Sequence, residues 1–184
     1  MGRAINWLGL VAGISVFVLL FVSVFLPWWQ LTIGSNFIGV YVSPVVTSFE
    51  VYGLGFTLPL LWAWNLSNIL LFSACGVFML IYSLFPAKVY SKYLLCFSYK
   101  TVLCAFVGFV VGLVVVVGVA GFFGINVPLV GSAVVDFSVP SFIPLGDSLS
   151  SLVTATFLGP FFFAIVVVGL CVAARVYHGR LGVA

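Results

Sequence analysis

The chain carries four long, nearly uninterrupted apolar runs, approximately Ile5 to Pro27, Thr57 to Phe85, Thr101 to Phe123 and Leu152 to Tyr177. A bilayer's hydrocarbon core is about 30 Å thick and a helix rises 1.5 Å per residue, so about 20 apolar residues suffice to cross it. Each run meets that length. Hydrocarbon offers no water to backbone N–H and C=O groups, so an apolar run that crosses it alone does so as a helix. The expected fold class is an all-α membrane protein, a four-transmembrane-helix bundle forming a single integral membrane domain over 1–184, with loops at 28–56 and 124–151 on one side. With 65% hydrophobic and only 5% charged residues, the composition excludes a water-soluble core, since soluble domains carry about 25% charge.

The few charges are segregated. Arg3, Lys88, Lys92, Lys100, Arg175 and Arg180 flank the runs at the N-terminus, in the middle connection and in the C-terminal tail, whereas Glu50, Asp136 and Asp147 lie in the two long loops. Short basic loops stay cytoplasmic, so the sequence predicts a multi-pass protein of the cell membrane with both termini cytoplasmic. The net charge of +3 then reflects anchoring to anionic membrane lipids, and no nucleic acid partner is expected. The first run is read as a retained helix: its apolar part, Trp7 to Leu26, exceeds the 7–15 residues of a signal core and ends in Pro27-Trp28-Trp29 without a small-residue cleavage site.

The two long loops are too long to be structureless in a compact protein. Thr47, Phe49 and Val51 alternate with Ser48, Glu50 and Tyr52; Ala133, Val135, Phe137 and Val139 alternate with Val134, Asp136 and Ser138. Period-two alternation of β-branched and aromatic residues between glycines and prolines reads as short strands. A small β-rich cap is expected, its sheet shared by both loops. Phe37, Val46, Phe49, Val135 and Phe137 are its candidate interaction surface, because two loops cannot bury so many apolar side chains between them. A faint echo, Ser48-Phe49 with Leu54-Gly55 and Ser141-Phe142 with Leu145-Gly146, raises an internal duplication of one helical hairpin.

Within the spans the candidate helix-packing residues are Gly9 and Gly13, Gly108 and Gly112, and the amides of Asn65 and Asn68. Small residues four apart let helix backbones approach, and amides bond across helix interfaces. Gly159-Pro160 predicts a bend one turn inside the fourth span. Trp28, Trp29, Trp62 and Trp64 read as an interfacial aromatic belt.

Chemistry is nearly silent. Cys75, Cys96, Cys104 and Cys171 match no zinc or redox spacing; the one histidine, His178, lies in the tail, which excludes paired imidazole ligands within the spans. No ionisable residue lies mid-span, where proton relays and ion-coupled transporters keep theirs. Glu50, Asp136 and Asp147 would gather a cation only if the loops brought them together. No catalytic, cofactor or metal site is expected, and the chain reads as a non-enzyme, compatible with an accessory subunit of a membrane enzyme.

Four spans, cytoplasmic termini and a strand-rich first outer loop containing Trp28 and Trp29 resemble the claudin-like tetraspan proteins in layout. That family's first loop carries Gly-Leu-Trp followed by a cysteine pair; here Gly53-Leu54-Gly55 has no Trp after it and neither outer loop holds a cysteine. The tetraspanins' cysteines are equally absent, and no functional residue is carried over. The function expected is a non-catalytic four-helix subunit that scaffolds or stabilises a larger membrane complex, or self-assembles, with other integral membrane proteins or further copies of itself as partners. The alternatives are a small oligomeric channel or transporter lined by Asn65, Asn68 and the Gly159-Pro160 bend, and a cell-surface adhesion protein.

Overall fold

The computed structural model describes residues 5–34, 38–56, 58–122, 124–138 and 148–180. In chain order the elements are α1 (Trp7–Phe25), β1 (Trp29–Ile33), β2 (Ile38–Val42), β3 (Thr47–Val51), β4 (Leu54–Phe56), α2 (Pro59–Leu84), α3 (Ser91–Phe122), β5 (Gly131–Ser138), β6 (Ser148–Phe157) and α4 (Gly159–Arg180). The four helices are long and apolar enough to cross a membrane, and the six strands form one antiparallel sheet in the order β4-β3-β2-β1-β6-β5. The protein is a multi-pass four-helix membrane bundle with a β-cap.

Two helix starts differ markedly from those the sequence predicts. α4 begins at Gly159, not Leu152, because Leu152 to Phe157 complete β6. Pro160 therefore sits in the first helical turn, where its missing N–H has no intrahelical partner to lose, and the expected mid-helix bend is a helix start. α3 begins at Ser91, ten residues before Thr101, so Lys92 and Lys100 stand on a helix and the middle connection shrinks to 85–90. Among the described residues the two hairpins are also unequal: four strands separate α1 from α2, but two separate α3 from α4. The second half of the sequence echo lies outside the described residues, as do Val139 and Asp147.

The end of the bundle bearing the basic residues is stitched by polar side chains. Asn6 accepts a 3.0 Å bond from Gly9 N, capping α1, and the Asn6 N–H donates to the Ser83 carbonyl at 3.1 Å. The Asn6 amide bonds Tyr82 Oη and reaches the Ala174 carbonyl at 3.5 Å, so one residue ties α1, α2 and α4. His178 is not in a free tail: it closes α4, is buried, and stacks edge-on against Tyr82 at 5.3 Å. Above this, Ala12, Val16, Leu19, Phe72, Cys75, Met79, Val167 and Cys171 form the apolar core.

Side-chain parity makes the sheet amphipathic. The register aligns Trp29 with Val42 and Phe157, and Leu31 with Val40 and Ala155; Thr47 and Phe49 continue these rows. That face is apolar. The other face carries Gln30, Tyr41, Ser48 and Thr156 in one row and Thr32, Gly39, Glu50 and Thr154 in the next. Gly39 is needed there, since a Cβ would meet the Tyr41 ring at 2.8 Å. The phenol lies across it and donates to Glu50; burial first, then that bond and the carboxylate's charge, raise the Tyr41 pKa.

Candidate functional site

α1 rises about 28 Å over its 19 residues and α3 about 48 Å over its 32. Phe109 meets Trp28, just beyond the end of α1, at 5.2 Å, so the remaining 13 residues of α3, about 20 Å, stand beside the apolar face of the sheet. Leu113 packs there against Trp29, Leu31, Val135, Val153 and Ala155. This contact covers the β1, β6 and β5 side of the face. On the β2 and β3 side, Val40, Val42 and Phe49 remain half-buried.

The uncovered half of the sheet, α3 and the cap end of α2 enclose a groove of about 850 Å³. Its α3 wall is the face running from Cys104 through Gly108 and Gly112 to Ala120, a length of roughly 24 Å. A Cβ added at Gly108 or Gly112 would meet nothing within 4 Å. Trp64 and Asn68 form the α2 wall, and among the described residues no charged side chain lines the space.

The remaining sequence candidates fall as follows. Gly9 and Gly13 are tight helix contacts: a Cβ would lie 2.5 Å from Ser83 Oγ at the first and 2.8 Å from Leu80 Cδ2 at the second. Asn65 reaches the sheet rather than another helix, accepting from Thr47 N at 3.2 Å and donating to the Thr47 carbonyl at 3.3 Å. Those bonds fix the base of β3 on α2. Val46 packs partly on the bundle core, Phe49 stacks on Phe56 at 6.2 Å, and Val135 is buried under α3. Phe137 lies in β5 opposite Leu149, and Phe37 lies outside the described residues.

Trp28 and Trp29 are not belt residues. Trp28 is 1% exposed, donates to Ser23 Oγ at 2.7 Å and is surrounded by Phe106, Phe109 and Phe161; Trp29 donates to the Leu129 carbonyl at 2.9 Å. They are the mortar between bundle and sheet, whereas Trp62 and Trp64 remain exposed. Sequence reasoning missed β1 and the β6 extension, and with them the groove. The available signal was the β-branched run Leu152-Val153-Thr154-Ala155-Thr156, which reads as strand once it is not merged into the following helix.

Nothing in the described part gathers metal ligands: no group of three His, Cys, Asp or Glu residues converges among the described residues. Glu50 on β3 and Asp136 on β5 stand four strand spacings apart in the sheet order, about 19 Å. Cys75 and Cys171 are buried free thiols and Cys104 is an exposed one. No family model, no curated protein and no solved structure matches the chain.

Proposed function

We propose that this protein is a non-catalytic membrane subunit that assembles laterally, with another integral membrane protein or with further copies of itself, through the edge of its cap and the bare side of α3. The single observation that carries this reading is β5. It is an eight-residue strand, Gly131–Ser138, at the end of the sheet order, with β6 as its strand neighbour. Natural edge strands are blunted by charges, proline or brevity; β5 is long and has no lysine or proline, its one charged residue being Asp136. Beside it, Val130, Val134 and Leu152 are 60%, 66% and 52% exposed, and Val134 and Leu152 face each other across the strand pair. The adjoining α3 supports the same reading, since only Ser91, Leu95, Ser98, Val102 and Leu113 of its 32 residues are buried.

In this reading the basic end lies in the cytoplasm, where anionic lipids hold Lys and Arg, and the cap lies outside. Asn65 is spent on Thr47, and Gly159-Pro160 starts a helix, so two of the three features that a conducting path would have used have structural work instead. The test is the native mass of protein extracted from its own membrane in a mild detergent. An oligomer or a stoichiometric complex is expected, and Val134→Lys, which places a charge on the strand edge, should shift most of it to monomer. A wild-type monomer, or an assembly indifferent to Val134→Lys and to charges on α3, overturns the reading.

A further inference from the structure

We infer that the groove between α2, α3 and the sheet is a binding site for one neutral, long-chain amphiphile drawn from the bilayer, its chain lying along α3 and a carbonyl or hydroxyl of its head region bonded to Asn68. The site is independent of the assembly edge on β5.

Three observations converge on this occupant. The first is the space. A volume of about 850 Å³ walled on three sides lies within the 300–1,000 Å³ typical of small-molecule sites, which are apolar with few polar groups. Interiors are close-packed, and a void of this size forfeits the contacts of its whole lining; Gly108 and Gly112 hold it open where any larger side chain would begin to fill it.

The second is depth. Phe109 meets Trp28 just beyond the end of α1, so the lower end of the groove face, Cys104 to Phe109 with Asn68 on α2, lies within the span of the bundle, and the rest of that face, up to Ala120, runs beside the cap. The lower end of the groove is therefore at the depth of the lipid. The half-buried Val40, Val42 and Phe49 on the sheet give a chain an apolar wall opposite the glycines.

The third is the polar group. Asn65 uses both ends of its amide on Thr47, Ser43 Oγ donates to the Val46 carbonyl at 3.0 Å, but the amide of Asn68, on the groove wall, makes no hydrogen bond within the described residues. An amide in apolar surroundings is unfavourable unless bonded. A ligand carbonyl or hydroxyl satisfies it, and the absence of charge among the described lining residues selects a neutral group over an ionised one.

The experiment uses the full chain reconstituted in phosphatidylcholine vesicles containing phosphatidylcholine with a photoreactive diazirine in its acyl chain. After illumination, the labelled peptides are mapped by mass spectrometry. Label is expected at several-fold higher density on the groove face of α3 and around Trp64 than on the lipid-facing Phe21 and Phe25 of α1. Gly112→Leu, which fills the groove without touching a neighbour, should lower the groove label at least tenfold and leave the α1 label unchanged. Asn68→Leu should lower it about three- to tenfold, the loss of one hydrogen bond. Groove label no denser than on α1, label that survives Gly112→Leu or is indifferent to Asn68→Leu, or a second copy crosslinked into the groove in place of lipid, each overturns the inference. The thermal unfolding of both variants, read on the same samples, separates loss of the site from loss of the fold.

Discussion

Gly9 with Gly13 on α1 and Gly108 with Gly112 on α3 share one spacing and meet opposite surroundings. On α1 the missing side chains are replaced by another helix, with Ser83 and Leu80 so close that a Cβ has no room. On α3 the same spacing faces open space beneath the sheet. Four-residue spacing puts two small residues on one helix face; it does not say what approaches that face. On α1 glycine serves close packing between helices, and on α3 it serves a vacancy walled by the cap.

That contrast is most directly broken by matched substitutions. Gly13→Leu should destabilise the folded protein by about 2–3 kcal/mol, the usual penalty of overpacking a tight contact, because Leu80 and its backbone N–H, 3.3 Å from the new Cβ, cannot both move aside. Gly112→Leu should change stability by less than about 0.5 kcal/mol. Thermal unfolding in one detergent checks both, and equal effects would erase the distinction between the two glycine pairs.

The asparagines sharpen the contrast one step down in magnitude. Asn65→Leu removes two bonds and leaves the Thr47 N–H and C=O unpaired at the base of β3, a loss of about 2 kcal/mol at about 1 kcal/mol per bond. It should also speed hydrogen exchange at the Thr47 amide. Asn68→Leu breaks no internal bond, and in ligand-free detergent it should leave both readouts unchanged.

The smallest effect is on the polar face of the sheet. The Tyr41 pKa is raised above 10.0 by burial and by Glu50, so the protonated phenol contributes stability that is fully present below that value and is lost as pH rises through the folded pKa. Wild-type unfolding temperature should fall more steeply above pH 10 than that of Tyr41→Phe. Parallel slopes would show that the phenol contributes nothing there.

Length and hydropathy alone made the four spans legible, because no other structure satisfies a long apolar backbone in hydrocarbon. Alternation made β3 and β5 legible as well. β6 was hidden because its Leu152 to Phe157 segment adjoins α4 with a single residue between, and a buried strand joined to an apolar helix reads as one long apolar run. Lys92 and Lys100 hid the first ten residues of α3 by suggesting a loop, although a helix can carry charges beyond the membrane. Trp28 shows the deeper limit: position at a span end suggests an interfacial residue, and only the convergence of Ser23, Phe106, Phe109 and Phe161 makes it a core residue. The groove was illegible because it belongs to no segment; it exists only where three distant ones fail to touch.

The pairing of β1 with β6 also dictates a schedule. Thr32 meets Thr154 across 122 positions of chain, so during synthesis the first four strands emerge with β1 still an open edge, and they wait for the last helical hairpin to deliver its closing strand. Contacts this distant in sequence form late. A nascent chain truncated before β6 would therefore expose the unpaired edge of β1, the kind of surface that chaperones and proteases read. Completion of the sheet thus requires that both halves of the chain have already been threaded through the membrane.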